Sequence, residues 1–260
     1  MADTATRATP VGIGAYLKAI YDNVPLVFEA GGKAWKKNFW DNYQDRGSLT
    51  DYSEVFSGTG WTVEYFTPTY DIHPTEKATN MFSHNCLPIN LVSHLEELGV
   101  SLITQHATDL SGIYYDTDFT AVPPLVLGGT IDTTVWHLFS ESDQLVSVNI
   151  DITQEFMDKG IAVLWSQCFE RCAALKDLTF TGSGVINQTI DLQWSSALSK
   201  ASITNVINYL ASDTTDLICR LSLDAVNVAF QTADGANDGT ASDDWLALLE
   251  SKPNWSFALI

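Results

Sequence analysis

Short apolar groups recur along the chain after about residue 47, separated by stretches rich in Thr, Ser, Asp, Gly and Pro. The clearest unit is CFERCAALKDLTF, residues 168–180. The segment FSESDQLVSVNI, residues 139–150, repeats the order of one aromatic residue followed by three spaced apolar residues. Self-similarity of this kind is typical of repeat architectures. The chain therefore predicts a series of related structural units.

The end of each unit carries the motif apolar-x-x-apolar-x-apolar, which also occurs in VPPLVL (122–127) and ICRLSL (218–223), and at Leu95, Leu98 and Val100. The alternating last pair is typical of a short strand with one buried face. The motif predicts strands near residues 98–100, 124–127, 147–150, 177–180, 189–192 and 220–223.

A strand this short cannot bury its own apolar face, so such units are stable only when they stack on one another. The sequence therefore predicts an α/β fold, a right-handed leucine-rich-repeat solenoid with irregular repeats and short parallel strands. Cys168 and Cys172 are interpreted as small buried hydrophobic residues of one unit. Upstream aromatic residues are expected to fill the convex layer behind the strands: Phe56, Phe82, Tyr115, Phe139 and Phe169.

The N-terminal segment has a different texture, with apolar residues at helical spacing over 13–44 and breaks at Pro25 and Gly31. We expect two short helices there. The organisation is therefore an N-terminal helical segment, 1–46, followed by the solenoid, 47–260. Two roles stay open for residues 1–46: capping the first repeat, or attachment to a larger assembly.

The units VFSGTGW, NMFSHNC, HLFSESDQLVSV and QCFERCAALKDLTF resemble those of BspA-type leucine-rich-repeat proteins. The segments VFEAGGKAWKKNFWDNYQ, LSKASITNVINYLASDTTDLICRLSLDAV and PNWSFALI extend the resemblance, in particular to members encoded by tailed phages and prophages of gut bacteria. The resemblance implies that SKASITNVINYLA forms a convex helix before the strand LICRLSL. Ser199 or Ser202 is a suitable cap for that helix.

The resemblance also implies a non-enzymatic virion protein of the tail, the baseplate or an exterior fibre. Its expected partners are other virion proteins, contacted through the N-terminal helices, and a host-surface protein or glycan. Such a protein is made in the host cytoplasm and released by lysis. Homo-oligomer formation is left open. Two alternatives stay open as well: a carbohydrate-active enzyme acting on host-surface glycans, and a bacterial or prophage-encoded adhesin outside a virion.

Charge restricts the partners further. The 260-residue chain carries a formal net charge of −19, from 32 acidic and 13 basic residues. This acidity opposes binding to nucleic acid and to anionic membranes. No apolar run approaches the roughly 18 residues that span a bilayer, and the N-terminus lacks a secretory-signal pattern. We therefore expect no nucleic-acid partner and no membrane insertion.

Catalytic and metal-binding motifs are not evident. The five histidines form no HExxH motif, and His84, Cys86 and His94 lack a recognisable zinc-ligand spacing. DGANDGTASDD, residues 234–244, lacks the full calcium-loop ladder. We expect no metal, no cofactor and no catalytic residue. Eight tryptophans are many for this length, and each is interpreted as core rather than as a sugar-stacking residue.

The candidate binding residues are those that alternate with the buried positions of the predicted strands. They would lie on the concave face of the solenoid and form its recognition surface. They are Glu97, Ser147, Asn149, Asp177, Thr179, Asp191, Arg220 and Ser222.

Overall fold

The computed structural model describes residues 72–85, 88–230 and 242–260. The predicted helical segment, residues 1–46, lies outside this part of the chain, as does Phe56. The described part has a mixed α/β fold, as predicted. Its strands are β1 (Leu125–Leu127), β2 (Ser147–Ile152), β3 (Asp177–Thr181), β4 (Ile190–Leu192), β5 (Leu217–Leu221) and β6 (Trp255–Leu259). Its helices are α1 (Leu91–Leu98), α2 (Gln154–Asp158), α3 (Trp165–Cys168), α4 (Lys200–Tyr209), α5 (Leu223–Phe230) and α6 (Asp243–Glu250).

The strands form two three-stranded sheets, ordered β1-β2-β3 and β4-β5-β6, and every pairing in them is parallel. In the first sheet Ile150 pairs with Leu125 on one side and with Phe180 on the other. Parallel neighbours need a long crossover connection, and within each sheet a segment of about 20 residues or more joins one strand to the next. The prediction of short parallel strands is therefore confirmed.

Two of the predicted strands need correction, and one strand was missed. Residues 98–100 are not a strand, because helix α1 runs to Leu98 and Gly99 ends it at φ 66°. The Asn90 side chain caps the start of this helix by accepting the Ser93 N–H, 3.1 Å away. The strand predicted at 220–223 runs instead from Leu217 to Leu221. The sequence motif did not predict β6.

A column of stacked aromatic rings runs through the core upstream of the strands. Phe82 stacks on Tyr114 with 5.5 Å between ring centroids, Tyr114 on Phe139 at 5.8 Å, and Phe139 on Phe169 at 5.6 Å. All four rings are fully buried. The predicted burial of Phe139 and Phe169 at equivalent places is thus confirmed. The prediction of Tyr115 as the core aromatic was wrong by one residue, because Tyr114 fills that place.

The backbone on both sides of this column turns through left-handed conformations. Two residues after each aromatic, φ is positive at His84 (56°), Asp116 (53°), Glu141 (65°) and Arg171 (60°). The backbone N–H groups at these turns bond to the next unit: His84 N–H donates to Tyr115 O at 3.0 Å, and Asp116 N–H to Ser140 O at 2.8 Å. Such conformations are uncommon for non-glycine residues, so they mark a turn that each unit repeats.

The ladder of strands is interrupted after β3 because side chains of helix α4 occupy its free edge. The Leu178 N–H donates to Ser202 Oγ at 2.9 Å, and the Phe180 N–H donates to Asn205 Oδ1 at 2.7 Å. Asn205 Nδ2 in turn donates to Phe180 O at 3.1 Å. The backbone groups of an unpaired edge are therefore satisfied by a helix instead of a strand. This substitution accounts for the division into two sheets.

Helix α4 begins where the sequence suggested. The Ser199 side chain is its N-cap and accepts the Ser202 N–H. Its apolar side, which includes Ile203, Val206 and Ile207, is buried. These residues belong to a single hydrophobic core that extends from Ile72 to Trp255. The units consequently share one apolar interior.

We predict that Phe169→Ala lowers the free energy of unfolding by about 3–5 kcal/mol, the usual cost of emptying an aromatic core site. Chemical denaturation of the full chain measures this change. Trp194→Ala is the matched control, because the Trp194 side chain is half exposed and should contribute little. A loss below about 1 kcal/mol for Phe169→Ala would show that the aromatic column is not structurally important.

Candidate functional site

Four of the predicted binding residues meet on the first sheet. The register places Ser147 beside Asp177 and Asn149 beside Thr179. Asp177 and Thr179 are exposed, whereas Ser147 and Asn149 are half-buried. Because alternate residues of each strand point away from the core, these side chains share one polar surface. We call the surface formed by these four residues the strand face.

Asp191 and Arg220 are neighbours in the second sheet, where β4 and β5 pair. Arg220 Nη1 lies 3.4 Å from Asp191 Oδ2, and both side chains are largely covered. Asp191 also accepts hydrogen bonds from the backbone N–H and the side-chain amide of Gln193, each at 3.1 Å. The two charges therefore neutralise each other, which leaves this pair less available to a ligand than the strand face.

Glu97 and Ser222 do not lie on exposed strand positions, so their predicted placement on the strands was wrong. Glu97 is exposed, but it belongs to helix α1 because the chain ahead of Gly99 is helical. Ser222 is only 4% exposed and follows the end of β5. Its carbonyl accepts the Val226 N–H as helix α5 begins. The change from strand to helix removes Ser222 from the surface.

A cleft that the sequence did not reveal lies at the left-handed turns of three consecutive units. Its lining residues are Asn80, His84, Tyr115, Trp136 and His137, and its volume is about 260 Å³. Trp136 is 42% exposed, which leaves a large apolar surface open to solvent. We call this feature the ring cleft. It shares no residue with the strand face.

Edge-to-face ring contacts connect the four rings of the ring cleft in sequence. Centroid distances are 5.4 Å from His84 to Tyr115, 5.7 Å from Tyr115 to His137, and 5.1 Å from His137 to Trp136. The interplanar angles lie between 73° and 86°. Edge-to-face pairs place the positive edge of one ring on the negative face of another. Each ring therefore fixes the orientation of the next.

Hydrogen bonds to Nδ1 hold both imidazoles of the ring cleft. His84 Nδ1 lies 2.7 Å from Asp116 Oδ2, and the side chains of this pair are about half exposed. His137 Nδ1 lies 2.9 Å from Ser140 Oγ. Within the part of the chain that the structure describes, Nε2 of each ring has no hydrogen-bond partner. As far as the described residues are concerned, both nitrogens are available to a ligand.

The Ser140–His137 contact has the residue types of a catalytic pair but not the required arrangement. Ser140 Oγ donates its proton to Gln167 O at 2.5 Å. A hydroxyl has one proton, so His137 Nδ1 must donate to Ser140 Oγ rather than accept from it. Ser140 is also buried. A serine nucleophile needs an acceptor nitrogen and access to substrate, and Ser140 has neither.

One edge of the ring cleft is acidic, because Asp116 lies there with further carboxylates beside it. Partial burial raises the pKa of Asp118, and repulsion from Asp143 and Asp116 raises it further. Asp116 is the partner of His84 at the edge of the cleft. A negatively charged ligand beside Asp116 would therefore be repelled, in agreement with the acidity of the whole chain.

The two cysteines of the unit CFERCAALKDLTF are structural, as expected. Cys168 and Cys172 are free and fully buried. Cys168 Sγ donates to Leu164 O at 3.3 Å, and Cys172 Sγ donates to Phe139 O at 3.1 Å. Burial raises the pKa of Cys168 to about 12, and it raises that of Cys172 as well. Because the thiolate is the reactive form, both thiols are inert.

Among residues 72–85, 88–230 and 242–260, no group of three or more His, Cys, Asp or Glu side chains is arranged to hold a metal ion. His94 is buried in helix α1, whereas His84 is exposed. Cys86 and most of the segment 234–244 lie outside the described residues. In the described part, no helix is both long and apolar enough to cross a bilayer.

Comparison of the chain with family models, with curated proteins and with solved structures finds no match. The site is therefore interpreted from its own geometry.

Gly112 lies against Asn80, a lining residue of the ring cleft, and its replacement is predicted to destabilise the chain. Its φ is 63°, and a Cβ placed there would collide with the Asn80 side-chain oxygen. We expect Gly112→Ala to lose about 1–2 kcal/mol through left-handed strain, with a further loss from displacing Asn80. Chemical denaturation measures the sum of these two losses.

Gly99→Ala is the matched control, because Gly99 has a similar φ of 66° and open space around its Cβ position. Gly112→Ala should lower the free energy of unfolding more than Gly99→Ala does. When Asn80→Ala is combined with Gly112→Ala, the extra loss at Gly112 should become smaller, because the colliding side chain is gone. Equal losses at the two glycines would contradict the close contact between Gly112 and Asn80.

Proposed function

We propose that the stacked units form a leucine-rich-repeat solenoid of the irregular BspA-like kind, wound with a right hand. Hydrogen bonds between units support this, since they join residues 32, 25 and 30 positions apart: His84 with Asp116, Thr117 with Ser142, and Glu141 with Arg171. The spacing is irregular, as in the sequence motif. Nearest-neighbour contacts of this type are the basis of solenoid stability.

On this fold we propose a non-enzymatic virion protein that presents a repeat surface for host binding or particle assembly. The observation that carries the proposal is the strand face, where Asp177 and Thr179 are exposed beside Ser147 and Asn149 in register. Flat surfaces of polar side chains on rigid strands suit recognition of another macromolecule. A host-surface protein or glycan and a neighbouring virion protein are the partners of this proposal.

Ser140 is buried and lacks an acceptor nitrogen, so it is not a nucleophile. Glycoside hydrolysis uses a pair of carboxylates instead, and the carbohydrate-active enzyme stays the alternative proposal. An adhesin outside a virion would use the same strand face, so it differs only in setting. The virion setting follows from the sequence resemblance, and the N-terminal segment, residues 1–46, is the proposed attachment region.

The setting is tested by mass spectrometry of purified particles from the phage or induced prophage that encodes the chain. We expect the protein in the particles at a constant ratio to the major tail protein. Its absence from infectious particles would overturn the virion proposal and favour the adhesin.

Recognition is tested with particles that carry Asp177→Arg and Thr179→Arg together. Large charged side chains at these exposed positions should block the strand face without entering the core. Adsorption to host cells should fall at least tenfold, about 1.4 kcal/mol in binding free energy.

Glu97→Arg is the control, since Glu97 is exposed on helix α1 and a comparable charge is changed there. Unchanged adsorption of the double variant, in particles that contain a normal amount of the protein, would show that the strand face is not the recognition surface. If assembly fails and the purified variant is folded, the strand face serves assembly instead.

A further inference from the structure

The ring cleft has the features of a small-molecule site and is separate from the strand face. Its volume of about 260 Å³ lies just below the range of roughly 300–1,000 Å³ that is typical of ligand pockets. It therefore fits one ring-sized group rather than a folded peptide. Trp136 supplies an exposed apolar wall, whereas Asn80, His84, Tyr115 and His137 supply polar groups.

We propose that the ring cleft binds a neutral pyranose sugar, with the ring of the sugar stacked on Trp136. A pyranose presents a face of C–H bonds and an edge of hydroxyl groups. The electron-rich face of an indole attracts such C–H bonds. Imidazole nitrogens, a phenol and a carboxamide act as donors and acceptors for hydroxyls. The cleft combines both requirements within a few ångströms.

The site is preorganised, which lowers the entropic cost of binding. Left-handed backbone at Asn80, His84 and His137 fixes the direction in which each side chain leaves the chain. Asp116 holds the His84 ring and Ser140 holds the His137 ring, both through Nδ1. The Nε2 atoms consequently point to positions that do not depend on ligand-induced folding.

Charge selects the class of sugar. Asp116 lies against His84 at the edge of the cleft, and the whole chain carries a formal net charge of −19, so the field there opposes an anion. A carboxylate or phosphate on the ligand would add to this repulsion. Neutral hexoses and N-acetylhexosamines carry no such penalty. Sialic acid and phosphorylated sugars are therefore excluded from the proposed ligand class.

The proposal goes beyond the proposed function, because it needs neither the virion setting nor the strand face. Its geometry involves only residues 80–143. Loss of sugar binding would thus leave the recognition role of Asp177 and Thr179 untouched, and the reverse also holds.

The test is saturation-transfer NMR on the full chain with methyl glycosides of glucose, galactose, mannose and N-acetylglucosamine, each at about 10 mM, a concentration that detects a millimolar binder. N-acetylneuraminic acid is the anionic probe. We expect transfer to at least one neutral glycoside and none to the acid. Titration of the positive glycoside then gives a dissociation constant.

Trp136→Ala should raise the dissociation constant at least tenfold. Trp136→Phe should retain most of the binding, and Trp194→Ala should leave the dissociation constant unchanged. Trp194 is the matched control, because it is 51% exposed and does not line the cleft. Far-ultraviolet circular dichroism checks that each variant is folded.

Three results would overturn the proposal. The first is no transfer to any of the four neutral glycosides by the wild-type chain. The second is an equal loss in Trp136→Ala and Trp194→Ala, which would place the sugar elsewhere or make the contact non-specific. The third is a preference for N-acetylneuraminic acid. If Trp136→Ala is misfolded, Trp136→Gln replaces it in the comparison with Trp194→Ala, because glutamine keeps a long side chain but has no ring on which a sugar can stack.

Discussion

The stacking of one aromatic ring per unit on the ring of the next is the contact on which the rest of the structure depends. Phe82, Tyr114, Phe139 and Phe169 are fully buried and lie 5.5 to 5.8 Å from their neighbours. Because no unit buries its strand alone, this column holds the units in the alignment in which their strands pair. The left-handed turns that flank each ring are then aligned from one unit to the next. The surface residues of those turns consequently come together from unit to unit.

Both candidate surfaces follow from this alignment. The parallel register brings Asp177 and Thr179 beside β2, and the repeated turns bring His84, Tyr115 and His137 together. Neither surface requires a long or unusual loop. The proposed solenoid would produce such rows, because equivalent positions in neighbouring repeats are adjacent. The chemistry of each row then depends only on which side chains the sequence places there.

Features that depend on the spacing of apolar residues were predicted from the sequence. Features that depend on an offset of one residue, or on a single side-chain hydrogen bond, were not. Apolar alternation locates β2 and β3, because a buried strand face needs every second residue. Tyr114 and Tyr115 are adjacent aromatics, so composition alone does not show which one is buried. The misassignment concealed the ring cleft, since Tyr115 was placed in the core. The capping of β3 by Ser202 and Asn205 was likewise not visible in any periodicity.

The coupling of the units by ring stacking is tested most directly by a double-mutant cycle on the aromatic column. Phe139→Leu and Phe169→Leu are made singly and together. Stacked neighbours should show a coupling free energy of about 0.5–1.5 kcal/mol in denaturation experiments, beyond the area that each ring buries. Phe82→Leu combined with Phe169→Leu should be additive, because these rings belong to units that do not touch through the column. Additivity within about 0.3 kcal/mol for Phe139 and Phe169 would contradict the claim that ring stacking couples the units.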